Sequence, residues 1–172
     1  MSPRLDGRSE AEEPASPAPE QRVPVQELVD RNEIEQLIFA YCFHFDQNEP
    51  EAVAALFTDA AVVDYGPEFP NIVGAASIAE TIAVGLEQLF AATSHHVSNI
   101  QLTFDGPDRA TGLTYLYAWH RYRDGSPDSE LWGRYHHRFA RTVSGWRIAE
   151  LRLTAAGSKD FHRSEMHPTG RR

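Results

Sequence analysis

A chain of 172 residues, of which 41% are hydrophobic, is long enough to form one domain around a single core. Its net charge of −9 argues against nucleic acid as a partner, because such a surface repels phosphates. The single cysteine, Cys42, cannot form an internal disulfide, and no segment approaches the roughly 18 to 20 apolar residues that a membrane span requires. We therefore expect a cytoplasmic protein with no membrane partner.

Both ends of the chain predict disorder. Residues 1–24 combine Pro, Ala, Ser, Glu and Arg with almost no large apolar side chains, so they cannot bury enough surface to offset the entropy of ordering. They also lack the continuous apolar core of a secretory signal. Residues 164–172 are polar and basic. One domain is therefore predicted over residues 25–163.

Helical periodicity dominates the first part of this domain. Asp30 followed by Glu33 has the pattern of an N-cap and its capping-box partner, which predicts the start of a first helix. Pro50 predicts the first turn of a second helix, and residues 74–90 predict a third. The apolar residues that recur at helical spacing are Ile34, Leu37, Ile38, Tyr41 and Phe45, then Val53, Leu56 and Phe57, then Ile78, Ile82 and Leu86.

Strand-like alternation follows. A short strand is predicted at residues 61–65 and longer ones at 95–104, 110–122, 131–141 and 146–153, separated by turn sequences rich in Asp, Gly, Ser and Pro. Three helices followed by an antiparallel meander indicate an α+β fold. We expect a cone-shaped, curved antiparallel sheet wrapped on the three helices, with a ligand pocket at its mouth.

Strand alternation predicts which side chains can meet in this pocket. Ala118 and His120 share one face of their strand. On the following strand, Tyr135 and His137 share one face. The adjacent residues His95 and His96 must point to opposite faces. At most one of that pair can therefore reach the pocket.

These elements and residues resemble the SnoaL-like branch of the nuclear transport factor 2 fold over about residues 25–160. The resemblance is carried by Asp46 in the motif YCFHFD at the end of the first helix, by Tyr65 in VVDY, and by His95 in TSHHVSN at the start of a long meander. Within this branch the closest motifs are those of scytalone dehydratase, bile-acid 7α-dehydratase and hexachlorocyclohexane dehydrochlorinase.

The resemblance implies an acid–base dyad in which Asp46 and His95 match the catalytic aspartate and histidine of these enzymes. His120 matches a second catalytic histidine of scytalone dehydratase, and Tyr65 matches its carbonyl-polarising tyrosine. A neighbouring tyrosine of that enzyme falls on Phe45, which has no hydroxyl. A carboxylate at a helix C-terminus opposes the helix dipole, which independently favours a functional role for Asp46.

Further residues are candidate substrate contacts. Tyr41 precedes Asp46 by five positions, the spacing of a tyrosine in bile-acid 7α-dehydratase. The other candidates are Phe45, Asn99, Ala118 and Tyr135.

Together these residues predict a cofactor-independent lyase. Asp46 would hold the His95 ring, His95 would take a proton from carbon, and His120 would protonate a departing hydroxyl of a cyclic, polyketide-like or steroid-like small molecule. Two alternatives stay open. One is an isomerase or polyketide cyclase that uses the same dyad, and the other is a non-catalytic member of the fold that binds a small ligand.

Eight histidines also prompt the question of a metal site. His95, His120 and His137 come from three successive predicted strands, as ligands of a three-histidine zinc site would. The compact spacing usual in such motifs is absent, so no metal is predicted.

One strand face predicts self-association. Trp132, Arg134, His136 and Arg138 alternate along one strand and combine aromatic residues with arginine, as protein interfaces do. We expect a homo-oligomer, either a dimer or a trimer.

Overall fold

The chain forms three helices and six strands within residues 24–170, the part that this computed structural model describes. The elements are α1 (Val25–Asp46), α2 (Pro50–Ala54), β1 (Phe57–Asp64), β2 (Ile72–Val73), α3 (Ala75–Gln88), β3 (Phe90–Phe104), β4 (Arg109–Tyr122), β5 (Ser129–Thr142) and β6 (Gly145–Lys159). No helix in this part of the chain is long and apolar enough to cross a membrane. The predicted N-terminal tail, residues 1–24, lies outside the described residues except for Pro24.

The six strands form one curved, unclosed sheet in the order β2-β1-β6-β5-β4-β3. Strands β3 to β6 form the predicted antiparallel meander, and the α+β architecture is confirmed. The expectation that the whole sheet is antiparallel is wrong, because β1 pairs with β6 in parallel, with Val63 opposite Leu151. Parallel pairing requires a long connection. Here β2, α3 and the first three strands of the meander supply it.

Helix α1 begins at Val25, five residues before the predicted cap. Asp30 is therefore not an N-cap; it is buried within the helix, and its carboxylate lies 2.6 Å from the Arg141 guanidinium of β5. The paired charge explains how an aspartate is accommodated in the core. The inward face of α1 carries Ile34, Ile38 and Tyr41.

Other boundaries also differ from the sequence prediction. Phe57 begins β1 rather than belonging to the second helix, β3 begins five residues early at Phe90, and β6 continues to Lys159. The apolar core lies between the helices and the concave face of the sheet. Its largest fully buried side chains include Trp146, Phe139 and Ile148.

The chain turns back along the sheet after β6. The backbone N–H of Ala155 donates to the carbonyl of His167, and the N–H of Thr169 donates to the carbonyl of Ala155, both at 2.8 Å. The ring Nε2 of His167 lies 2.9 Å from the Asp64 carboxylate of β1. These contacts involve residues 164–170, for which the sequence predicts disorder. They anchor the C-terminal segment to β6 and β1.

The outward face of β5 carries the residues predicted to form an oligomer interface. Trp132 is 44% exposed, and His136 and Arg138 are also exposed. The guanidinium of Arg134 lies over the ring of Tyr115 on β4, 4.6 Å from its centroid. Self-association through this face stays a prediction.

Candidate active site

Asp46 at the end of α1 and His95 on β3 form a hydrogen-bonded pair. The ring Nδ1 of His95 lies 2.6 Å from Oδ1 of Asp46, and the backbone N–H of His95 donates to Oδ2 at 2.7 Å. The Thr93 hydroxyl donates to Oδ1 at 2.8 Å. Because the carboxylate receives both the ring and the backbone of His95, the ring orientation is fixed. With Nδ1–H directed at the carboxylate, Nε2 is left as the proton acceptor.

Burial and hydrogen bonding act in opposite directions on Asp46. Desolvation alone would raise the pKa of its carboxyl, but the hydrogen bonds and electrostatic attraction of His95, with the Thr93 hydroxyl, outweigh it and lower the pKa. The carboxylate is thus ionised at neutral pH. The side chain of His95 is only 5% exposed, so this ion–imidazole contact is shielded from solvent.

Strand register sets the positions of the two site histidines. Ala118 of β4 lies opposite His95, and His120 lies opposite Thr93. His96 is exposed, whereas the His95 side chain is turned inward, so the adjacent histidines separate as strand alternation predicts. The rings of His95 and His120 come within 5.4 Å, centroid to centroid, at 80°.

His120 lies in apolar surroundings. Its ring stacks on Phe90 at 4.8 Å, and its Nδ1 is 3.4 Å from the Ser129 hydroxyl, which receives a 2.9 Å hydrogen bond from Tyr122. Burial, with the nearby His95, lowers the pKa of His120 to about 3. The ring is therefore neutral at physiological pH. If Ser129 donates to Nδ1, the ring hydrogen lies on Nε2, which makes His120 a neutral hydrogen-bond donor.

A pair of tyrosine hydroxyls forms the next part of the site. The hydroxyl oxygens of Tyr41 and Tyr65 are 2.7 Å apart, and the Tyr135 ring packs edge-on against Tyr41 at 5.7 Å. Burial raises the pKa of Tyr65 to about 12 and that of Tyr41 well above its ordinary value. Both hydroxyls therefore stay protonated and can donate hydrogen bonds.

These groups surround a cavity of about 460 Å³ whose walls are mostly apolar and aromatic. Seven of the predicted site residues line it, namely Tyr41, Phe45, Tyr65, His95, Ala118, His120 and Tyr135. The Phe45 ring packs edge-on against His95 at 4.8 Å, on the helix that also carries Asp46. Asp46 contacts His95 without lining the cavity. The arrangement thus places an imidazole of fixed orientation and two hydroxyl donors around a space with mostly apolar walls.

Two further candidates, an asparagine and a histidine, do not line the cavity. Asn99 is exposed, with φ of 51°, at a bulge between Ser98 and Gln101, and does not line the cavity. His137, one of the three histidines weighed as zinc ligands, is buried and stacks on Phe139 at 5.2 Å. Within residues 24–170, no three His, Cys, Asp or Glu side chains are grouped so that they could hold a metal ion.

Sequence reasoning missed the residues that follow β6. Phe161, His162 and Arg163 all line the cavity, and the rings of Phe161 and His162 lie 5.6 Å and 6.1 Å from that of His120. The only available signal was a short aromatic and basic cluster after the last strand. Its path across the cavity mouth depends on the later backbone contacts with Ala155.

Comparisons with known proteins agree with this architecture. A family profile for SnoaL-like domains matches residues 26–152. No curated protein sequence matches the chain significantly. Among solved structures, a protein of Novosphingobium aromaticivorans provisionally named scytalone dehydratase is 33% identical, with 86% of this chain and 97% of that chain covered and a TM-score of 0.80.

Two further solved structures carry different names. A protein of Novosphingobium aromaticivorans provisionally named as an aromatic ring hydroxylase is 27% identical, with 77% and 90% of the two chains covered and a TM-score of 0.69. A hexachlorocyclohexane dehydrochlorinase is 16% identical, with 85% and 98% covered and a TM-score of 0.74, a likeness of fold alone. Proteins named for different reactions thus share one fold, and the chemistry of the site must distinguish between those reactions.

Proposed function

The chain belongs to the family of SnoaL-like domains, and from this premise we propose that it is a cofactor-independent lyase that removes water from a hydroxylated cyclic small molecule. The observation that carries the proposal is the 2.6 Å contact between Asp46 and His95 at the wall of an apolar cavity. The relative at 33% identity, provisionally named scytalone dehydratase, supports dehydration as the reaction class.

The first step is the removal of a proton from carbon, with His95 as the base. Nε2 of His95 takes a proton from a carbon next to a carbonyl, and the C–H electron pair moves to the carbonyl oxygen to give an enolate. Asp46 stabilises the imidazolium that this transfer creates. The short hydrogen bond between Nδ1 and Oδ1 supports this role, because it needs no rearrangement when the ring becomes charged.

The second step concerns the negative charge on oxygen. The Tyr65 hydroxyl, paired with that of Tyr41, donates a hydrogen bond to the enolate oxygen. Donors of this kind contribute about 3 kcal/mol each when water is excluded. The raised pKa of both tyrosines supports hydrogen-bond donation rather than proton loss.

The third step releases water. The enolate re-forms its carbonyl, a carbon–carbon double bond forms, and the C–O bond to the β-hydroxyl breaks. The departing oxygen takes the proton held by His95, so His95 returns to its neutral form and the products are an unsaturated carbonyl compound and water. His120 donates its N–H to the departing oxygen. Its lowered pKa favours this hydrogen-bonding role over that of a full proton donor.

The lowered pKa of His120 also favours a second candidate function. A neutral imidazole is a weak acid, and a substrate without a leaving group would not require a strong acid. The dyad could then move a proton from one carbon to another, as an isomerase or polyketide cyclase does. The tyrosine pair would stabilise the same enolate.

Mass spectrometry in deuterium oxide tests the proposal. Purified protein is incubated with a panel of cyclic β-hydroxyketones that includes polyketide-like and steroid-like members, with Asp46→Asn as the matched control. A product that has lost the mass of one water supports the lyase, and deuterium uptake without loss of water supports the isomerase. If the wild type changes no substrate that it binds, the chain is a ligand-binding protein and the proposal is wrong.

A further inference from the structure

One guanidinium faces the cavity without a charged partner. Arg163 lines the cavity, and its guanidinium carbon lies 5.7 Å from the centroid of the Tyr65 ring and 4.9 Å from that of Phe69. Among the described residues it makes no ion pair and no side-chain hydrogen bond. A half-buried arginine normally directs its N–H groups to an acceptor.

The carboxylate whose charge acts on Arg163 is already engaged. Glu68 influences the pKa of Arg163, but its two oxygens accept hydrogen bonds from the backbone N–H and the hydroxyl of Ser164, both at 3.1 Å. Desolvation is the largest effect on Arg163 and lowers its pKa from the ordinary value. The charge of Glu68 opposes this effect, but among the described residues no carboxylate forms an ion pair with the guanidinium.

The aromatic contacts of Arg163 leave its N–H donors available. Tyr65 and Phe69 contact the guanidinium through their rings, and no side-chain hydrogen bond of Arg163 is formed among the described residues. The segment that carries Arg163 is held on the sheet, since His167 contacts Asp64 and its carbonyl accepts from Ala155. Arg163 thus lines the cavity from a segment that is anchored to the sheet.

The charge balance of the cavity favours an anion at this position. Asp46 accepts three hydrogen bonds from Thr93 and His95 and does not line the cavity, and burial keeps His120 neutral. Arg163 is then the one Lys, Arg, Asp or Glu side chain among the described residues that line the cavity. We propose that Arg163 is a specificity-determining residue that binds an ionised carboxylate carried by an unsaturated ring of the substrate. The inference rests on the proposed function, because it concerns a substituent of the same ligand.

A binding experiment tests this without turnover. The probes are 2-naphthoate and 2-naphthamide, which have nearly the same shape and differ in charge. Calorimetry compares their affinities for the wild type, for Arg163→Met and Arg163→Lys, and for Arg109→Met. Arg109 is exposed and remote, so its variant makes the same change in net charge as Arg163→Met. His95→Ala is included because it removes the catalytic base and leaves Arg163 in place.

The expected result is a preference of the wild type for naphthoate of about tenfold to a hundredfold, the range of a charge-assisted hydrogen bond. Arg163→Met should abolish the preference and leave naphthamide binding within about twofold of the wild type, while Arg109→Met and His95→Ala keep the preference. A wild type that does not prefer naphthoate, or an Arg163→Met variant that still does, would overturn the inference.

The lysine variant covers the remaining outcome. If Arg163→Met loses both probes, recovery of naphthoate preference in Arg163→Lys supports anion binding. Failure of Arg163→Lys to recover either probe would show that Arg163 only holds its segment in place and would overturn the inference. If the wild type prefers naphthoate but removes water from no substrate, the specificity proposal stands while the lyase proposal fails.

Discussion

His95 and His120 lie 5.4 Å apart, ring centroid to ring centroid, yet only His95 contacts a carboxylate. His120 instead stacks on Phe90 and has its pKa lowered to about 3 by burial and by the nearby His95. Two similar side chains on neighbouring strands therefore have different surroundings. The difference supports the proposed roles of His95 as the base and of His120 as a neutral donor, and each role has its own test.

The dyad can be tested by removing either member. Asp46→Asn removes the negative charge that supports the imidazolium and allows the wrong ring tautomer, so we expect kcat to fall by about 10³- to 10⁴-fold. His95→Ala should lose at least as much. Steady-state kinetics on any substrate found in the screen, with thermal unfolding of each variant, makes the measurement. His96→Ala, an exposed neighbour, is the control and should be fully active.

Near wild-type turnover in Asp46→Asn or in His95→Ala, with the fold intact, would contradict the acid–base role. A loss of activity that accompanies a large drop in unfolding temperature would instead assign the 2.6 Å contact a structural role.

The tyrosine pair can be tested by removing one hydroxyl. Tyr65→Phe deletes the proposed donor to the enolate and leaves the ring in place, so kcat should fall by about 10²- to 10³-fold with a smaller change in KM. Tyr41 then loses its 2.7 Å partner, which adds a modest loss of stability. Tyr115→Phe, on the outer face of the sheet, is the matched control. Equal activity of the two variants would remove Tyr65 from the mechanism.

Buried histidines predict how stability depends on pH. Burial lowers the pKa of His137 from 6.5 to about 3, so between these values the unfolded chain binds more protons than the folded one. The free energy of unfolding should therefore rise with pH in this window, by about 1.4 kcal/mol per pH unit for each such proton. His137→Leu should reduce this slope by about one proton. Denaturant unfolding at several pH values between 4 and 6.5 measures it.

Asp46 acts in the same direction but at lower pH. The pKa of its carboxyl is lowered below 3.8, so its contribution to stability is lost only as pH falls below that value.

The exposed residue His96 provides the control for the His137 prediction, and His96→Leu should leave the slope unchanged. A slope in His137→Leu equal to that of the wild type would show that His137 is protonated alike in the folded and unfolded chains.

Self-association can be tested on the outward face of β5. Light scattering at micromolar concentration should give two or three times the chain mass of 19.3 kDa, because Trp132 and its arginine-rich surroundings resemble an interface. Trp132→Glu should shift the protein towards the monomer, whereas Val143→Glu, at an exposed turn, should not. A wild-type protein that is only monomeric would contradict the prediction.

Local patterns predict much of the fold because they depend on neighbouring residues. Helical spacing locates α3, and strand alternation separates His95 from His96. The capping pattern at Asp30 predicts the wrong start for α1, because the Asp30 carboxylate is paired with Arg141, far along the chain. The parallel pairing of β1 with β6 is likewise a long-range feature. Short-range periodicity contains no information about either contact.

The same distinction applies to the site. Alternation from His95 would turn Asn99 inward, but the bulge after Ser98 interrupts the alternation and leaves Asn99 exposed. Arg163 reaches the cavity only because the chain turns back after β6. Site residues on regular elements, or directly beside one as Tyr65 is beside β1, could thus be found from sequence, whereas those at the bulge and after the last strand could not.

The role of His120 can be separated from that of His95 by changing the leaving group. A halide leaves as a stable anion and needs little help from a hydrogen-bond donor, whereas a hydroxyl leaves poorly without one. His120→Ala should therefore be strongly impaired on a β-hydroxyketone and largely active on the corresponding β-haloketone. His95→Ala should be inactive on both, because both reactions begin by removing a proton from carbon.

This comparison needs a control for cavity shape, since His120 also packs against Phe90 and Phe161. His120→Phe keeps an aromatic ring there and removes the N–H donor. It should behave like His120→Ala, with the halide substrate rescued and the hydroxyl substrate not. If His120→Phe is active on both substrates, His120 only shapes the cavity. If every His120 variant loses both reactions equally, the two histidines act as one unit, and the division between a charged base and a neutral donor is wrong.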